Sequence, residues 1–121
     1  MRTQEVVVVV RRGREFLVVH RSLENGAFWH LVSGGVEEGE TFADAAVREL
    51  REETGLDAAV EPLESPFEYD GIHVECFVVD APAGWEPVLD WEHDDYRWRP
   101  REEAVELLYW PEPAQVLREL S

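Results

Sequence analysis

A chain of 121 residues, 45% hydrophobic and 11% aromatic, is long enough for one buried core and too short for two. Its formal net charge of −16 excludes a nucleic-acid polymer as partner, because phosphate backbones are bound by Lys/Arg surfaces. A smaller phosphate compound fits only if metal ions invert the local field.

The lone Cys76 leaves no internal disulfide and sets a reducing cytoplasm as the expected location. In chain order, Val6–Val10 and Glu15–His20 read as a hairpin joined by Arg11–Arg14. The unbroken valines predict a strand buried on both faces. They are too few for a signal-peptide core, and nothing approaches the ~20 apolar residues of a membrane span. Ser22–Ala27 is a loop, and Phe28–Val32 a short strand leading into Gly34–Leu56.

Within that stretch Thr41 and Asp44 are spaced as a capping box, and Gly55 is placed to end the helix in a left-handed conformation. At about 100° per residue, Ala43, Ala46, Val47 and Leu50 form an apolar stripe. Glu49, Glu52 and Glu53 form a second stripe beside it, with Glu53 close to the apolar edge. Glu37, Glu38, Glu40 and Asp44 add to these carboxylates, and only Arg48 and Arg51 oppose them. Such a cluster needs a counter-charge, and a hard divalent cation with oxygen ligands supplies one.

Further on, Ala58–Leu63 reads as a strand ending near Pro66, and Phe67–Asp80 as a hairpin turning at Asp70-Gly71. Asp90–Asp95 is a second acidic cluster, followed by the strand-like Tyr96–Trp98. Pro100 suits a first helical position, Arg101–Leu108 is helical, Pro111 and Pro113 break it, and Ala114–Leu120 is a last helix. This order predicts a single α/β (α+β) domain over residues 1–121 with a mixed sheet.

The mid-chain stretch fits Gly-x5-Glu-x7-Arg-Glu-U-x-Glu-Glu-x-Gly-U, U being apolar, through Gly34, Glu40, Arg48, Glu49, Leu50, Glu52, Glu53, Gly55 and Leu56. A chance match in one register is on the order of 10⁻⁹. It resembles the Nudix box, with no mismatch at a defining position. The resemblance implies an α/β/α sandwich in which the box forms a loop–helix–loop, and a hydrolase that uses Mg²⁺, with Mn²⁺ as substitute. Carried over residue by residue, Glu52 and Glu53 match metal ligands, and Glu49 matches a ligand or catalytic base. Arg48 matches the arginine that orients a box carboxylate. Ser33 stands where the family commonly has a glycine whose carbonyl binds metal, and a backbone carbonyl survives that change.

Glu92 is the expected late acid, as base or ligand, with Asp90, Asp94 and Asp95 as competitors. Glu92-His93-x-x-Tyr96-x-Trp98 resembles a segment of dihydroneopterin triphosphate/dATP pyrophosphohydrolases and diadenosine tetraphosphate hydrolases. Trp29, Tyr96 and Trp98, with Tyr69, are aromatics that could stack on a base. His30 and His93 lack metal-ligand spacing. The resulting expectation is a pyrophosphohydrolase of nucleoside triphosphates or related small nucleotides, neither membrane-bound nor attached to nucleic acid. A diadenosine polyphosphate hydrolase and a non-catalytic nucleotide-binding module are the alternatives, and monomer and homodimer both remain open.

Overall fold

Val6–Val10 lie in the middle of strand β1 (Gln4–Arg12), and all five are buried. Successive strand residues face opposite sides. Val6, Val8 and Val10 therefore enter one core and Val7 and Val9 another. The computed structural model describes residues 2–121.

Around β1 the elements are β2 (Glu15–Arg21), β3 (Trp29–His30), β4 (Val32–Gly35), α1 (Phe42–Thr54), β5 (Glu61–Tyr69), β6 (Ile72–Asp80), β7 (His93–Pro100), α2 (Arg101–Leu107) and α3 (Pro111–Glu119). One edge of β1 pairs in parallel with β6 from Gln4 to Arg11. The other edge pairs antiparallel with β4 over Glu5–Val8, and with β2 only at Arg11 and Arg12. β2 then pairs antiparallel with β7. Helix α1 packs against the even valines with Leu17, Phe77 and Trp98. Helices α2 and α3 cover the other face, over Phe16, Leu31, Val74 and Cys76. The result is the expected α/β/α sandwich on a mixed sheet. Among the described residues no helix is long and apolar enough to cross a membrane.

Several local expectations shift. The single strand over Phe28–Val32 is two strands, because the chain pairs with β2 up to His30 and with β1 from Val32. The expected strand Ala58–Leu63 begins at Glu61 and runs through Pro62 and Pro66 to Tyr69, with its register broken between Leu63 and Phe67. β5 tolerates both prolines because it is the edge strand of the sheet. The turn at Asp70-Gly71 is as expected, with φ of 47° and 77°. Pro100 precedes α2 as its N-cap. Pro111 opens α3, where its missing N–H costs nothing.

Candidate active site

Helix α1 is fixed at both ends by its own sequence. The Asp44 N–H donates to Thr41 Oγ1 at 3.0 Å, the Thr41 N–H donates to Asp44 at 3.3 Å, and Gly55 ends the helix at φ 81°. Such an N-cap is worth about 1 kcal/mol. The buried face is rotated from the expected stripe. It consists of Ala45, Ala46, Leu50, Glu53 and Thr54, while Ala43 is exposed. The apolar pattern points elsewhere because one member of the buried face is a carboxylate.

Arg48 organises the acids. Its Nε and Nη2 hold both oxygens of Glu40 at 2.8 and 3.0 Å. Nη1 donates to Glu49 at 2.6 Å and to Glu52 at 3.2 Å, and Nη2 also donates to the Gly35 carbonyl at 2.8 Å. Hydrogen bonding from Arg48 holds the Glu40 carboxyl down at about 2. The same contacts push the Arg48 guanidinium further up. One cation thus ties the loop, β4 and the helix together.

Glu53 is the opposite case. It is 2% exposed, and its Oε1 has no hydrogen-bond partner. Burial, then contact with the Glu49 carboxylate, then the charge of Asp90 raise its pKa well above the usual carboxylate range, and the Ser33 backbone draws it partly back. His93, itself buried, has Nδ1 2.8 Å from Asp90 Oδ1. Gly34 lies in β4 rather than in a loop, and a Cβ there would collide with the Glu49 carboxylate. Gly35 is likewise in β4, against Arg2, and only Gly39 of the three has a left-handed φ, 82°.

Glu49, Glu53, Ser33 and Glu92 share one cleft of about 260 Å³. Glu92 is half-buried there, 3.6 Å from Arg21. Glu52 is not in it. That side chain is half exposed and turned to Arg48. Among the described residues no three His, Cys, Asp or Glu side chains converge tightly enough to enclose a metal alone. Two do meet, at Glu49 and Glu53, and Mg²⁺ typically takes only one or two carboxylates plus waters and substrate oxygens. Two carboxylates in contact, one with an unsatisfied buried oxygen, form a donor set that such an ion fits.

Of the competing late acids, Asp94 bonds His20 at 2.7 Å and Asp95 accepts from the Tyr96 N–H at 2.8 Å. Neither lines the cleft, and neither does Asp90, which bonds His93 and acts on Glu53 by its charge. Three of the four expected stacking aromatics, Trp29, Tyr96 and Trp98, are elsewhere too. Trp98 is buried, donates Nε1–H to Glu86 at 2.9 Å and lies under Arg12 at 4.0 Å. The Tyr96 hydroxyl is 3.2 Å from Glu86. Trp29 packs on His20 with centroids 4.9 Å apart and lies under Arg97 at 4.7 Å. The aromatics on the cleft are Phe28, Tyr69 and Trp110, and its cations are Arg2 and Arg21. Of these, Tyr69 stands out as an aromatic of its hairpin, and Phe28 opens a segment, Phe28–Ser33, that resembles dihydroneopterin triphosphate/dATP pyrophosphohydrolases. Trp110, Arg2 and Arg21 come from distant segments with no motif to mark them.

A family model described as the NUDIX domain matches residues 1–120. The chain belongs to the Nudix hydrolase family. Members of that family are pyrophosphohydrolases that typically depend on divalent metal. It is 36% identical over 129 residues to an octanoyltransferase of Myxococcus xanthus, covering 98% of this chain and 35% of that protein. It is 31% identical over 97 residues to the NAD-capped RNA hydrolase NudC of Pasteurella multocida, covering 77% of this chain and 36% of that one. This Nudix chain thus spans about a third of the length of the curated relatives it matches. The solved E. coli dihydroneopterin triphosphate pyrophosphohydrolase superposes with a TM-score of 0.87 at 23% identity, over 98% of this chain and 94% of that one, which shows the shared fold.

Proposed function

We propose that this Nudix chain is a Mg²⁺-dependent pyrophosphohydrolase, with Mn²⁺ as substitute, that cleaves a nucleoside triphosphate by water attack at phosphorus. The observation that carries the reading is the buried Glu53 carboxyl, with one oxygen unpartnered, against the Glu49 carboxylate in a cleft. Like charges in contact inside a fold need a proton or a cation between them.

Glu49, Glu53 and the Ser33 carbonyl would hold the ion, with Glu52 joining from the exposed side by giving up its Arg48 contact. Bound there, the ion supplies charge neutralisation for the phosphates and a water of lowered pKa. Arg48 fixes Glu49 in place, so that carboxylate needs no reorganisation during the reaction. Glu92, which lines the cleft, would take the proton of the attacking water. Arg2 and Arg21 offset phosphate charge that this acidic chain would otherwise repel. The expected setting is the cytoplasm, with a small nucleotide as the partner.

The experiment is chromatographic detection of the monophosphate released over a nucleotide panel with and without Mg²⁺. A triphosphate such as dATP or dihydroneopterin triphosphate is expected to exceed ADP-ribose and NADH at least tenfold in kcat/KM, about 1.4 kcal/mol at the transition state. ADP-ribose or NADH in the lead would overturn the substrate class. No release from any compound would overturn the reaction.

A further inference from the structure

Residues 81–92 connect β6 to β7 with no helix or strand of their own, and they carry Glu92 to the carboxylate cleft. A segment without regular structure keeps its place only through ties to its neighbours. Backbone hydrogen bonds tie this one at its start, middle and end. The Ala81 N–H donates to the Arg11 carbonyl, the Val88 N–H to the Thr54 carbonyl and the Ser22 N–H to the Glu92 carbonyl, each at 2.8 Å.

Between the first two ties stands Glu86, exposed yet gripped by side-chain donors from two strands. Its Oε2 accepts from Arg12 Nη1 of β1 at 2.6 Å. Its Oε1 accepts from Trp98 Nε1 at 2.9 Å and from the Tyr96 hydroxyl at 3.2 Å, both of β7. Trp98 first, and then Arg12, hold the carboxyl below the usual carboxylate range. Arg12 also reaches the Trp85 carbonyl at 3.4 Å, and the Trp85 and Trp98 rings meet edge-on with centroids 6.3 Å apart. Among the described residues no other side chain of the segment collects donors from both β1 and β7.

Tyr96 and Trp98 lie two residues apart on β7, so their side chains leave the same face of the sheet. That spacing brings a hydroxyl and an indole N–H onto one carboxylate, a use of these aromatics other than stacking. Glu92 follows Glu86 by six residues, up to ~20 Å of extended chain, so a segment released at Glu86 has slack to shift the Glu92 carboxylate. We propose that Glu86 is a positioning residue: it pins the β6–β7 segment to both strands and thereby holds Glu92 at the cleft. The inference rests on the reading of Glu92 as the base given above, and it names what keeps that base in place.

The test is a double-mutant cycle on triphosphate hydrolysis with Glu86→Ala, Glu92→Gln and the pair. E86A should lower kcat roughly tenfold or more with KM within about twofold, and should add less than about twofold to the loss in E92Q. An unchanged kcat in E86A, or a loss that multiplies in full on the E92Q background, overturns the proposal. Amide hydrogen exchange reads the same latch without turnover. The Ser22 N–H, bonded to the Glu92 carbonyl, should exchange roughly tenfold faster in E86A, while the amides of Val6–Val10 keep their wild-type rates. Equal Ser22 exchange in the two proteins, or a rise matched along β1, overturns the pinning. If no triphosphate is cleaved, the reaction reading fails by itself, and the exchange rates decide the role of Glu86.

Discussion

His93 Nε2 stands 3.6 Å from Glu53 Oε1, and both side chains are buried. That is too long for a hydrogen bond. The Glu53 carboxyl is thus enclosed between a histidine committed to Asp90 and the Glu49 carboxylate, with no donor on Oε1.

The sign of its pH dependence follows. Burial and Glu49 raise the folded-state pKa above the ordinary 4.5, so the metal-free folded chain keeps a proton that the unfolded chain releases. The stability from that proton is complete below pH 4.5 and is lost as pH rises through the raised value. Urea melts in EDTA should show wild-type losing stability toward pH 8, and Glu53→Gln should flatten that limb. Millimolar Mg²⁺ should raise wild-type stability by mass action and leave E53Q unmoved, with turnover of E53Q down by orders of magnitude. Identical melts for the two proteins in EDTA and in Mg²⁺ would sink the assignment.

Arg48 works in the other direction. Its hold on Glu40 keeps that carboxyl at about 2, so the contribution is present above pH 4.5 and is lost as pH falls from 4.5 toward 2. Glu40→Gln should flatten the acid limb of the stability curve. Arg48→Lys loses the two-pronged grip and should cost about 3 kcal/mol, with kcat falling because Glu49 is no longer fixed. Equilibrium unfolding paired with steady-state kinetics checks both. An Arg48→Lys variant as stable and active as wild type would leave Arg48 a surface charge.

Much of this site is legible in the sequence because its spacing is local. The Glu40–Arg48–Glu49–Glu53 pattern, the Thr41/Asp44 box and the Gly55 terminus are fixed by helical geometry. The burial of β1 on both faces is equally readable from five consecutive valines. What escapes depends on tertiary choice. Trp98 reads as a stacking surface, yet its strand position opposite Leu17 sends it into the core. His93 lacks ligand spacing and so passes unnoticed as the partner of Asp90. Arg2, Arg21, Phe28 and Trp110 reach the cleft only through the fold. A buried carboxylate also rotates the apparent apolar stripe of α1 away from the face that packs.

Two glycines of the box should fail differently. Gly34→Ala places a methyl group against the Glu49 carboxylate, so activity should drop sharply with modest loss of stability. Gly39 has open space around it and a φ of 82°, so Gly39→Ala should cost ~1–2 kcal/mol of stability with kinetics nearly unchanged. Thermal melts and kcat on the two variants separate them. The reverse pattern would show that the collision at Gly34 is relieved by movement.

Glu92 and Asp94 are two residues apart and lie in different places. Glu92→Gln should lower kcat by ~10²–10⁴, the usual contribution of a positioned acid or base. Asp94→Asn removes only a partner of His20 and should change kcat less than threefold, a difference of about 0.7 kcal/mol or less. Steady-state kinetics at saturating substrate decide it. A dead Asp94→Asn with a healthy Glu92→Gln would exchange their roles.

The alternation of valines along β1 also divides labour between two halves of the molecule. Val6, Val8 and Val10 support the helix that carries Glu49 and Glu53, and Val7 and Val9 support the helices that frame Trp110. Side chains on the α2/α3 side can therefore diverge by repacking against alternate residues of one shared strand, without touching those beneath the Glu49/Glu53 pair. A fold partitioned in this way can remodel one layer while the other keeps its packing.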